Sequence, residues 1–250
     1  MLTLAQFVRR LCGLSKGRAH CCSQVRQSLK GKKGLEIGGP SSVFNGWYEP
    51  LPLYSVVGSL DNCVFSASTI WTSHSNKYIC RPHKNLGKTI FSEGSDLWMI
   101  ADNSYDFILS SHNLEHFANP LKALKEWERV VRPGGALVLV LPHYTKTFDH
   151  RRTPTKVSHM FEDFERCTQE DDLTHVPEIL ELHDLKMDPV AGSFENFRDR
   201  SLNNIANRCL HHHVFDEHNS RELLMRLKMD VITVEMAPPF HIFLFAYFQK

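Results

Sequence analysis

The chain has 250 residues, 42% of them hydrophobic and 23% charged, with a formal net charge of +1. That size and mix suit one globular domain with a sizeable insertion. They exclude a membrane-spanning protein of the helical type, because the longest apolar run, "FHIFLFAYF" at Phe240 to Phe248, is far short of the roughly 18 residues a span requires.

Residues 1–33 carry Arg9, Arg10, Lys16, Arg18, Arg26, Lys30, Lys32 and Lys33 and no acid, so the remainder is net acidic. The stretch "LTLAQFVRRLCGL" spaces its apolar residues like a packing helix. An Arg-rich, acid-free start also fits a mitochondrial presequence. A nucleic-acid arm is a third reading, but no aromatic or basic platform follows it. Seven cysteines, Cys12, Cys21, Cys22, Cys63, Cys80, Cys167 and Cys209, form no CxxC pair. Their odd number and irregular spacing favour a reducing compartment, so a cytoplasmic location is expected, with the mitochondrion as the alternative.

"LEIGG" is an apolar run ending in glycines, the pattern of a buried parallel strand meeting a tight turn. Tyr54 to Leu60 reads as a second strand with Asp61 and Asn62 at its carboxyl end, Thr89 to Phe91 as a third, and Tyr105 to Ser110 as a fourth. Asn119 and Pro120 then cap and start a helix with Leu121, Leu124, Trp127 and Val131 on one face. "RPGG" stops it and "ALVLVLP" is a fifth, fully buried strand. Asp216 caps a later helix containing Leu223, Leu224 and Leu227. "DVITVEM" and "HIFLFAYF" follow, joined only by "APP", too short a link for a parallel crossover, so they must pair antiparallel. Strands alternating with helical segments predict an α/β, doubly wound, Rossmann-like sheet with ligands beyond the carboxyl ends of its strands. About seventy residues after Pro142 lack a strand signal and read as an inserted helical cap, 144–212. Within it Phe161 to Asp184 holds nine carboxylates against Arg166 alone.

Polar residues gather at the expected strand ends. Gly38 and Gly39, followed by Pro40, let backbone approach a ligand closely, but they lack the G-x-G-x-x-G spacing a diphosphate wants. Glu36 beside them repels phosphate and suits a cation. Asp61 can accept from two ribose hydroxyls or serve simply as a turn residue; Glu93 and Asp96 can accept from an exocyclic amine or stand in solvent as loop acids.

With these features in order, "GLEIGGP", "SLDN", "EGSDL" and "NSYDFILSSHNLEHFANPLKALKEWERVVRPGGALVLVLPH", the chain resembles the class I S-adenosylmethionine-dependent methyltransferases of the type 11 domain branch. The resemblance runs over residues 34–143 and resumes over 213–248. It implies a seven-stranded sheet with an antiparallel last strand, within a domain of residues 34–250. It also implies S-adenosylmethionine lying on Glu36, Gly38, Gly39 and Pro40, its ribose near Asp61 and Asn62, its adenine near Glu93, Gly94, Asp96 and Leu97, with Ser111 and His112 alongside. Pro40, Ser41 and Ser42 stand where the family has a further glycine.

Methyl transfer from a sulfonium needs alignment and, where the nucleophile carries one, removal of a proton. His112 and His143, after the fourth and fifth strands, are the candidate bases; His112 is equally read as a support of the cofactor. Asp149, His150, Arg151 and Arg152 form a charged knot that could hold an anionic substrate group or pair with the acidic cap. In "HHHVFDEH", His211, His213, Asp216 and His218 have metal-ligand chemistry, but adjacent side chains on an extended chain point to opposite faces. The expectation is therefore no metal, with His213 and its neighbours lining the substrate cleft or packing. The function expected is methyl transfer to a small or medium-sized acceptor, of small-molecule, lipid or sugar type, with no nucleic acid because the acidic cap would repel phosphates. A SAM-binding scaffold without catalysis is the alternative, and a nicotinamide oxidoreductase is disfavoured by the missing phosphate spacing and the terminal hairpin.

Overall fold

The structure, a computed structural model, describes residues 18–46, 49–69, 73, 75–80 and 84–250. Most of the basic N-terminal segment therefore lies outside the described residues. After helix α1 (Cys22–Leu29), the sheet strands are β1 (Lys33–Ile37), β2 (Ser59–Val64), β3 (Lys77–Cys80), β4 (Lys84–Phe91), β5 (Tyr105–Ser111), β6 (Val131–Pro142), β7 (Asp230–Ala237) and β8 (His241–Tyr247). They form one sheet in the order β3-β4-β2-β1-β5-β6-β8-β7. Strands β4, β2, β1, β5 and β6 are parallel. The last strand, β8, runs antiparallel between β6 and β7, as the three-residue link requires. The seven-stranded expectation is corrected by one: β3 adds an antiparallel edge strand beside β4.

The chain winds outward from β1 through β2 to β4, then returns to place β5 on the other side of β1. This reversal opens a crevice above the carboxyl ends of β1 and β5, the place where such sheets bind ligands. Parallel strands covered on both faces must be apolar throughout. Leu35, Phe107, Ile108, Leu137 and Val140 are accordingly fully buried. One face carries the cluster around Trp127, the other the cluster around Phe44, Phe107, Phe243 and Phe245.

Helix α2 (Pro120–Val130) begins as its sequence predicts, with the Asn119 side chain accepting from the Lys122 N–H and proline in the first turn. Its Trp127 is completely buried and donates from Nε1 to the Gly94 carbonyl at 2.8 Å. That bond ties the helix to the loop beyond β4.

Between β6 and the final helix lie only helical elements: α3 (Val157–Glu165), α4 (Val176–Leu182), α5 (Phe194–Leu202) and α6 (Asn204–Asn207), with short 3-10 turns. A small core of Val176, Ile179, Ala191, Phe197 and Leu210 holds them together. Helix α7 (Glu217–Arg226) opens with a reciprocal capping box between Asp216 and Asn219. No described helix is long and apolar enough to cross a membrane.

The second strand departs from the sequence reading. It occupies Ser59–Val64 rather than 54–60. The apolar residues Leu51, Leu53, Tyr54 and Val57 that suggested an earlier strand are buried in the loop before it. Gly58 then packs so closely that a Cβ would lie 2.3 Å from the Gly31 carbonyl oxygen.

Candidate active site

The glycine turn is built from below. Gly38 has φ +76° and donates its N–H to the Cys63 carbonyl at 2.8 Å. The Asn62 amide brackets Gly39, accepting from its N–H and donating to its carbonyl, both at 2.9 Å. Behind the turn, Glu36 is fully buried. Its carboxylate accepts from Tyr54 at 2.8 Å, from Tyr78 at 2.5 Å and from the Ser41 N–H at 3.2 Å. Burial pushes its pKa up to about 7 despite those three donors.

Above the turn lies a cavity of about 700 Å³, within the range that holds drug-sized ligands. Gly38 to Ser42, Val64 and Phe65 at the end of β2, Glu93 and Gly94 after β4, Ser111 and His112 at the end of β5, and Pro142 at the end of β6 line its sheet side. The inserted segment closes the other side with Phe148, Glu170, Arg208 and His211. Arg208 pairs with Glu93 at 2.5 Å. Burial, together with the nearby Glu93, raises the Glu170 carboxyl to about 7.

The most organised group on this wall is His211. Its Nδ1 lies 2.6 Å from Asp149 Oδ2, and Arg152 grips the other Asp149 oxygen at 3.0 Å. Burial alone would raise the Asp149 pKa, but His211 and Arg152 outweigh it and hold the carboxyl at about 2. Burial likewise lowers His211, and the Asp149 and Glu115 carboxylates reverse the sign, leaving it raised. His112, at φ +51°, faces the cavity with Nε2 2.8 Å from His241 Nδ1. Burial, with His241 and His211 close by, drops its pKa to about 3, so it stays neutral at ordinary pH.

Of the residues singled out in the sequence, Gly38, Gly39, Pro40, Glu93, Gly94, Ser111 and His112 line the cavity. His211 lines it too; the other residues below do not, for identifiable reasons. Glu36 and Asn62 sit beneath the turn and shape it. Asp61 is mid-strand, not at a strand end, and is engaged by the Lys88 N–H and the Tyr105 hydroxyl, both at 2.9 Å. Asp96 is exposed and Leu97 belongs to the core. The anticipated row of acids facing a cation is therefore corrected: the carboxylates in the cleft are Glu93, Glu115 and Glu170. His143 turns away to Glu217, with Nε2 to Oε2 at 2.9 Å. Asp149 supports His211 without lining the cavity, while His150 and Arg151 pair with Asp184. His213 is buried on the cap side of its segment. The sequence flagged His211 only as one of three adjacent histidines; its pairing with Asp149 spans 62 residues of chain and has no local signal.

Among the described residues, two groups combine ligand types a metal accepts: Glu115, His116 and His211 in the cavity, and His159, Asp163 and His213 beside the inserted helices. The cavity also fits an adenosyl sulfonium ligand. A Cβ at Gly38 would meet Asn113 Oδ1 at 2.9 Å, one at Gly94 would meet Ile37 and Phe117 at 2.8 Å, and the buried Ser111 hydroxyl has no partner among the described residues. No acid stands at the end of β2 to receive ribose hydroxyls; Val64 and Phe65 are there, and the next carboxylate along the chain that lines the cavity is Glu93 after β4.

An open sheet with this reversal and a glycine turn over β1 defines a Rossmann-like α/β fold with its ligand crevice at the strand ends. Residues 71–139 match the family model described as a methyltransferase domain. The chain is 41% identical over 61 residues to a probable methyltransferase, ltbC, of Aspergillus luteorubrus, a match covering 22% of this chain and 21% of that one. It is 39% identical over 59 residues to the ubiquinone/menaquinone biosynthesis C-methyltransferase UbiE of Bdellovibrio bacteriovorus, covering 23% and 25%. The match thus spans only about a fifth to a quarter of these relatives' length. Similar folds include a SAM-dependent methyltransferase from Methanosarcina mazei (TM-score 0.50, 18% identity, 90% of this chain and 97% of that one). Another, from Mesorhizobium loti, superposes with TM-score 0.50 at 14% identity over 92% and 98%. The chain thus shares its fold with these S-adenosylmethionine-dependent methyltransferases, and its match to a methyltransferase domain is confined to residues 71–139.

Proposed function

We propose that the protein transfers a methyl group from S-adenosylmethionine to a small or medium-sized acceptor bound under the inserted helices, and that His211, oriented by Asp149, takes the acceptor's proton. The donor, when bound, supplies an electrophilic methyl on a sulfonium. The chain's own task is then alignment and proton removal. Gly38 and Gly39 offer close backbone approach, and Glu93 and the Ser111 hydroxyl offer polar contacts on the sheet side.

The observation that carries this reading is the Asp149–His211 pair at 2.6 Å, facing the same cavity as the glycine turn. A carboxylate on Nδ1 fixes the tautomer, leaves Nε2 as the proton acceptor and stabilises the imidazolium once formed. Neutral His112, with its basicity suppressed, suits a hydrogen-bonding role better than that of a base. The cavity is bordered by Phe148, Phe240, Met187 and Phe117 as well as by the charged groups, which favours an acceptor with an apolar body and one ionisable nucleophile.

Incubating the protein with methyl-labelled donor and fractionated metabolite extract tests this. Labelled product from the parent and its loss in His211→Gln, with donor binding intact, is the expected result. Undiminished turnover in His211→Gln would remove His211 from the chemistry. Tight donor binding without any product would favour the scaffold alternative.

A further inference from the structure

We propose that His159, Asp163, His175 and His213 form a four-ligand zinc site within the inserted helices, separate from the methyl-transfer cavity. His159 and Asp163 lie one turn apart on α3, His175 immediately precedes α4, and His213 lies in the segment leading to α7. None of the four lines the cavity.

The distances are the argument. His159 Nε2 is 3.1 Å from His175 Nε2 and 3.5 Å from Asp163 Oδ2, and His213 Nε2 is 3.8 Å from that same oxygen. Contacts of 3.5 and 3.8 Å are too long for direct hydrogen bonds. Metal bonds of 2.0–2.1 Å in a tetrahedron set ligand-to-ligand edges of about 3.3 Å; these three separations bracket that value, and the ligand atoms of His159, Asp163 and His213 all lie within 4.8 Å of one another, with His175 reaching the group through His159.

Hydrogen bonding within the protein leaves the cluster unsatisfied. Among the described residues, Asp163 Oδ2 is buried and accepts no hydrogen bond, and neither does His213 Nδ1 find a partner. Among the described residues His213 Nε2 makes one hydrogen bond, a long one to the Ala118 carbonyl at 3.4 Å. A buried carboxylate oxygen facing imidazole nitrogens without a donor is costly, and a dication removes that cost. The supporting shell is also present: Asp163 Oδ1 accepts from the Thr168 hydroxyl at 3.2 Å, and the Asp163 backbone carbonyl accepts from Asn119 Nδ2 at 3.1 Å. His159 is 35% exposed, which gives an ion a route in. Three imidazoles and a carboxylate suit zinc, and four protein ligands make a closed site of the structural kind. Such an ion would join α3, the start of α4 and the segment that carries His211 two residues before His213.

Elemental analysis of the purified full chain, followed by titration of the chelator-stripped protein with zinc against a chromophoric chelator, tests the proposal. About one zinc per chain is expected, lost at least tenfold in affinity in Asp163→Asn and in the half-exposed His175→Gln. Zinc should raise the melting temperature of the stripped parent but not of those variants. Glu115→Gln should bind zinc like the parent. His159→Gln, also at a partly exposed position, serves if Asp163→Asn does not fold. Stripped protein that takes no zinc from the chelator, or His175→Gln and His159→Gln variants that bind like the parent, would overturn the site. Loss of zinc in Glu115→Gln alone would place the ion on Glu115, His116 and His211 instead.

Discussion

Glu36 offers a quantitative test of how the glycine turn is supported. Its carboxyl is fully buried, and its pKa rises from 4.5 to about 7 in the folded chain, chiefly through burial. The folded state therefore holds this proton more tightly than the unfolded state does. Stability contributed by the group is complete below pH 4.5 and is lost as pH rises through about 7. A shift of this size corresponds to roughly 3 kcal/mol at the alkaline plateau, with about 2.5 kcal/mol of it falling between pH 5 and pH 8. Glu36→Gln keeps the shape and removes the titration. Urea unfolding of parent and variant at half-unit steps from pH 5 to pH 8 measures the difference. Glu115 and Glu170, also raised to about 7, remain in both proteins, so the change in the gap between the two curves isolates Glu36. The variant should gain on the parent by about 2–3 kcal/mol across that window. Parallel curves would refute the buried, clamped carboxylate and with it the account of the turn.

Gly38→Ala should weaken S-adenosylhomocysteine binding at least tenfold by thermal shift, since φ +76° disfavours a side chain and the new Cβ would press on Asn113 at 2.9 Å. Asp149→Asn should lower methyl transfer by about 10²–10⁴ while leaving the cofactor affinity within twofold, because it deprives His211 of its orienting carboxylate; single-turnover rates with labelled donor decide this. Trp127→Phe should cost about 1–3 kcal/mol in thermal or urea unfolding, since the Gly94 carbonyl, accepting at 2.8 Å, loses its donor in a buried setting.

The parallel sheet was readable because β1, β5 and β6 are largely apolar runs followed by glycine or histidine, and the terminal hairpin because "APP" leaves no room for a crossover. Asn119, Pro120, Asp216 and Trp127 signalled their helices through local chemistry. What misled was Tyr54. A β-type residue in "PLYSVVGSL" looks like strand, yet its hydroxyl is spent on Glu36, and the true strand starts five residues later at Ser59. That shift carried Asp61 from a strand end into a strand centre, against Tyr105. The acid row was inferred from positions along the chain, whereas the cleft draws its polar groups from Glu115, Glu170, Arg208 and His211. These come from the turn after β5 and from the insertion, and only tertiary packing brings them together. Asp149 and the three adjacent histidines were visible as chemistry, but nothing local tells that His211 turns to Asp149, His212 to Asp172 and His213 to Asp163.

Isothermal titration of the full chain with S-adenosylhomocysteine tests the central claim most directly. The account predicts one site per chain with a dissociation constant on the order of micromolar, and loss of that heat in Gly38→Arg, whose side chain would enter the cavity. Absence of any binding heat at millimolar ligand with correctly folded parent protein would contradict it.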